Sequence, residues 1–128
     1  MMGLFLLALL AFRPDSATTQ HNHQAIAAAR AAVRDMARIA VTPEEKALAE
    51  QDRRYVERAA ELVARREAEE SAHAEAAGKQ VQASQMSFNM QYLQLQTQMQ
   101  NENRSYTAVS NIMKTKHDTV KNSINNVR

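Results

Sequence analysis

Apolar side chains recur along this chain at the three-and-four spacing of a helix face. Ile26, Ala29, Val33, Met36 and Ala40 form one such stripe, with Arg30, Arg34 and Arg38 stepping by four along another face. The pattern predicts a helix over 24–41. A second stretch carries a thinner stripe of Leu48, Tyr55 or Val56, Ala59, Leu62 and Val63. Its polar face is laced with opposite charges four apart: Glu50 with Arg54, Arg53 with Glu57, Glu61 with Arg65, Arg65 with Glu69, and Arg66 with Glu70. Each pair adds a few tenths of a kcal/mol to a helix, so this reads as a solvated helix over 43–77 that meets a partner along one narrow seam. Further on, Tyr92, Met99, Tyr106, Met113, Val120 and Val127 are spaced by seven without exception. The companion position, three residues later, is apolar only in part: Leu95, Glu102, Val109, Lys116 and Ser123. Phe88, Ile112 and Ile124 widen the stripe. A strict heptad is the signature of coiled-coil packing, and it predicts one helix from Ser84 or Ser87 to about Asn126, broken or bent at most near Asn101, Glu102 and Asn103.

The boundary between the first two helices is the clearest local signal. Thr42 can cap the next helix through its hydroxyl, and Pro43 suits the first helical position. Glu45, three residues after Thr42, completes a capping box. Pro also pushes the preceding residue out of the helical region, so the join is a tight turn. Gly78 is a C-terminal stop for the second helix.

The apolar run over 1–12, MMGLFLLALLAF, is shorter than the roughly 20 residues that span a bilayer. It has the length of a signal-peptide core, but no Lys or Arg precedes it and the small-residue cleavage signature is poor. It is expected to act as a signal, an anchor or a tail buried in an assembly, or to stem from a mis-assigned start. The chain therefore divides into an apolar segment at 1–13, a polar linker at 14–23, an Ala/Arg/Glu-rich helical hairpin at 24–78, and a Gln/Asn/Met-rich amphipathic helix at 79–128.

Composition supports long helices and argues against a large core. Only 2 Gly and 2 Pro occur in 128 residues, so turns are few. Aromatics make up 5%, there is no Trp, and Ala carries much of the nominal 45% apolar content. Ala favours helix but buries little surface, so such helices need something to pack on. There is no Cys, which removes disulfides and thiolate sites and leaves the redox compartment open. A net charge of +2 with interspersed signs is too weak to argue for nucleic acid. After Val81 the balance tilts basic, with Arg104, Lys114, Lys116, Lys121 and Arg128 against Glu102 and Asp118.

No constellation points to catalysis. His21 and His23 form an H-x-H pair without further ligands nearby. Glu70 and His73 have the E-x-x-H spacing of di-iron bundles, which need two such motifs and two further Glu. His117 and Asp118 are adjacent and do not face each other on a helix. Gly3 and Gly78 cannot build a phosphate-cradling loop. No catalytic residue, metal or cofactor is expected, and the chain is read as a non-enzyme.

Residues Ser87, Phe88, Asn89, Met90 and Gln91, followed by Leu93, Leu95, Tyr106 and Met113, resemble the C-terminal helix of the flagellar rod-adaptor and secretion inner-rod family. Residues 105–128, ending NSINNVR, resemble the polymerising C-terminal helix of type III secretion needle subunits. The resemblance covers roughly 40 residues. It implies a small helical hairpin that completes its fold on assembly, in a bacterial, exported or membrane-associated setting. The apolar N-terminus and charged middle helix depart from that family.

The expected fold is all-α: an extended helical hairpin or coiled coil of three helices after the apolar segment. The expected role is that of a structural subunit that self-assembles or binds a helical partner, with Phe88, Tyr92, Leu95, Met99, Tyr106, Val109, Met113, Val120, Ile124 and Val127 as its interaction surface. The alternative is a membrane-tethered or periplasmic coiled-coil adaptor with membrane contact through 1–12. A helical nucleic-acid-binding protein ranks last, and a cytoplasmic location is the alternative to export.

Overall fold

The computed structural model describes residues 15–73, 79–102 and 107–128. The N-terminal apolar segment, Gly78 and Tyr106 lie outside the described residues, as does the side chain of His73. The described chain is all-helical: α1 Asp15–Ile39, α2 Pro43–His73, α3 Lys79–Asn101 and α4 Asn111–Asn125.

The Thr42–Pro43 boundary forms as the sequence dictates. The Glu45 amide donates to Thr42 Oγ1 at 3.1 Å, and Glu45 Oε1 accepts from the Thr42 and Val41 amides at 3.3 and 3.2 Å. The capping box turns the chain in three residues, and α2 returns antiparallel to α1. The Arg30–Glu57 and His23–Glu67 pairs mark the registry, at 3.1 and 2.9 Å. α3 runs back along α2, where the Arg66 guanidinium sits 4.1 Å from the Phe88 ring centre. α4 is antiparallel to α1, joined by Lys116–Asp35 at 3.0 Å, and parallel to α2, joined by Asp52–His117 at 2.6 Å. Its main packing is on α1. The helices thus run up, down, up, down. The core is one cluster in which Met36, Val56, Met113, Val120 and Ile124 are almost wholly sealed from solvent.

Two features differ from the expectation. Residues 15–23 of the stretch read as a polar linker are the first turns of α1. Asn22 extends the stripe of Ile26, Ala29, Val33 and Met36 by one turn, and it is fully buried because its side chain is satisfied. Its Nδ2 donates to the Arg128 carbonyl, and its Oδ1 accepts from the Arg128 amide, both at 2.9 Å. The helix expected over 84–126, with a break or bend allowed near Asn101, is two separate helices, α3 and α4, so four helices are described where three were expected. Ser110 starts the second, its Oγ accepting from the Met113 amide at 3.3 Å. Glu45 Oε2 reaches across from α2 to accept from the Ser110 amide at 3.1 Å. The last helix therefore folds back onto the hairpin instead of prolonging it.

Candidate interaction surface

α3 has two apolar faces. The inner one carries Phe88, Tyr92, Leu95 and Met99, all buried. Phe88 and Tyr92 stack with ring centres 5.3 Å apart, and Arg66 lies over the Phe88 ring as a cation over an aromatic face. The Tyr92 hydroxyl donates to the Ile124 carbonyl at 2.6 Å, tying α3 to the end of α4. Burial holds that phenol well above its usual range.

The outer face lies two residues away in sequence, about 200° around the helix. Met86, Met90 and Leu93 stand there 66%, 64% and 63% exposed, beside exposed Ala83 and Thr97. These five positions step by three and four, the spacing of a helix-pairing seam. On either side of it lie Gln82, Asn89 and Gln96, and Ser87, Gln94 and Asn101. From Gln80 to Asn101 there is no charged residue, in a chain that is 23% charged.

The residues expected to form the interaction surface lie mostly elsewhere. Phe88, Tyr92, Leu95, Met99, Val109, Met113, Val120, Ile124 and Val127 are all buried within this chain's own core, while Tyr106 lies outside the described residues. The heptad register runs unbroken through the connection between α3 and α4, so the inward faces of two helices read as the seam of one. The outer stripe went unread, although Met86, Met90 and Leu93 at i, i+4 and i+7 carry its signal.

Four polar contacts close the bundle. His117 Nδ1 donates to Asp52 Oδ2 at 2.6 Å, with both side chains nearly sealed. Burial pushes the Asp52 carboxyl up, and the hydrogen bond and charge of His117 act against that rise. The functional neighbour of His117 is thus Asp52 and not the adjacent, exposed Asp118. Arg66 Nη1 donates to the Arg128 carbonyl at 2.7 Å. His21 Nε2 donates to the Asn126 carbonyl at 2.6 Å, while His23 pairs with Glu67. The two histidines of the H-x-H pair therefore serve different helices. Among the described residues no group of three or more His, Cys, Asp and Glu could hold a metal ion.

No family model, curated protein or solved structure matches this chain.

Proposed function

We propose that this protein is a structural helical subunit that works by pairing the outer face of α3 with another helix. The observation that carries the reading is the exposed stripe of Met86, Met90 and Leu93 on a helix whose opposite face is already buried. Isolated exposed apolar residues need no explanation, but three in register on one helix face form a patch of the kind that marks an interaction site. A helix laid along such a stripe reads it through positions spaced by three and four. Among the described residues the charged hairpin offers no equivalent stripe: α2 turns exposed Arg–Glu pairs outward, such as Arg65–Glu61 at 2.9 Å. Within this reading we retain the likeness of residues 87–128 to export-apparatus subunits, as a proposal of setting.

A second reading, a membrane-tethered adaptor, rests on the charge-free run over 1–12. No helix among the described residues is long and apolar enough to cross a membrane, so tethering falls to that run.

The test is site-specific photo-crosslinking in cells. A photoreactive residue at Thr97, on the outer stripe, should give adducts that map to helical segments. The same group at Arg65, on the charged face of α2, should give none. Adducts at Arg65 alone would overturn the reading.

A further inference from the structure

Resting on the reading of α3 as a pairing face, we propose that its occupant is α3 of a second copy of this chain, antiparallel, with the two-fold axis between Met90 and Leu93. The argument begins with the residues beside the stripe. In paired helices these flanking positions choose partners through charge: opposite signs attract, and like signs exclude. Here they are Gln82, Asn89, Gln96, Ser87, Gln94 and Asn101, with no charge among them. A charged partner helix would have to desolvate its ions against neutral amides, which costs free energy without a counter-charge. An amide carries both donors and acceptors, unlike a carboxylate or an ammonium group. A Gln/Asn-flanked face is therefore complementary to itself, as a two-fold interface requires.

The stripe also fits itself by size. In antiparallel pairing, alternate seam positions meet. With the axis between Met90 and Leu93, each Met90 packs on the other copy's Leu93, each Met86 lies beside a Thr97, and each Ala83 faces a Gln100. The two bulkiest contacts fall at the centre, and smaller or polar side chains close the ends. Three large apolar side chains per copy make a small patch beside the ~1,600 Å² of a stable complex, so pairing should be reversible in the micromolar range.

The chain has no Cys, so single cysteines report cleanly. A83C and Q100C leave Met86, Met90 and Leu93 untouched. A short thiol crosslinker should join A83C chains to Q100C chains in a mixture far more readily than either variant to itself, because like positions are about 25 Å apart in this register. Sedimentation of the full chain should show monomer and dimer exchanging with concentration. M90E, at an exposed position, should keep its helicity while weakening association about tenfold or more. Efficient A83C self-crosslinking would establish parallel pairing and overturn the register. A chain that stays monomeric at all concentrations, or an M90E variant that dimerises like the parent, would overturn self-pairing. If Thr97 still gives adducts to other proteins in cells, self-pairing alone has failed and the pairing-face function stands.

Discussion

The Nδ1 of His117 lies 2.6 Å from Oδ2 of Asp52, with the carboxylate side chain 1% exposed. This contact joins the first third of α2 to the middle of α4, and Lys121 and Glu102 add opposing fields to it. The arrangement is held by mutual dependence: burial alone would drive Asp52 toward its neutral form, and His117 gives the ionised form a partner.

Replacing His117 with Leu should therefore destabilise the bundle by about 3–5 kcal/mol at neutral pH, as breaking a buried pair does. The sign follows from linkage. A carboxyl whose folded pKa is raised gives stability that is full below its unfolded pKa and lost as pH rises through the folded one. Without His117 that loss has less to oppose it, so the deficit of H117L should grow from pH 4 to pH 7. Denaturant titrations at the two pH values check this, and an equal deficit at both would refute the pairing argument.

Glu45 predicts the opposite pH slope. A hydrogen bond from the Ser110 side chain, first, and then the Ser110, Val41 and Thr42 amides hold its carboxyl down to about 2. A lowered folded pKa gives stability that is present above the unfolded value and lost as pH falls through the folded one. Stability should decline between about pH 5 and pH 2, and E45Q should flatten that decline. A parallel melting series in which E45Q and the parent fall with the same slope would remove Glu45 as the cause.

Much of this fold was legible because the turn signals are local. Thr42, Pro43 and Glu45 encode the α1–α2 turn within four residues. The N-terminal start of α1 was not legible, because Asn22 is buried through a partner 106 residues away. A break near Asn101 was allowed by the sequence and α3 ends there, but the reversal that follows it was hidden for another reason. Val109 and Met113 keep the heptad register of Tyr92 and Met99 although they belong to a different packing segment, so periodicity alone could not show the turn. The outer stripe was masked by its stronger neighbour: on an uncharged helix, two apolar faces compete for one pattern, and the longer series was read as the interface.

That series should govern stability. Met113 is fully buried, so M113A should cost about 2–5 kcal/mol through lost transfer energy and cavity formation. Y92F should cost about 1 kcal/mol by removing the donor to the Ile124 carbonyl. Changing Glu61 and Arg65 together to Ser should cost a few tenths, because exposed pairs contribute little. Thermal melts rank the three variants, and a Glu61/Arg65 variant less stable than M113A would reverse the assignment of core and surface.

The N-terminus separates anchoring from folding through two truncations. The sequence predicts the first helix from residue 24, but α1 begins at Asp15, and its first turns carry His21 and Asn22. Asn22 makes two hydrogen bonds to Arg128, and His21 makes one to Asn126. At about 1 kcal/mol each, their loss is a large share of the 5–15 kcal/mol that stabilises a typical small domain. A chain starting at Gln24 should therefore melt well below the parent, with its C-terminal residues released toward solvent. A chain starting at Asp15 keeps every one of these bonds and lacks the apolar run. It should melt with the parent while losing any association with lipid vesicles. Hydrogen exchange at Val127 and Arg128 reports the first effect, and vesicle flotation the second. If the Asp15 chain melts lower than the parent, residues 1–14 pack against the bundle and the tethering reading falls. If it melts alike but still floats with vesicles, membrane contact belongs to the bundle, and the outer stripe of α3 becomes the surface to test.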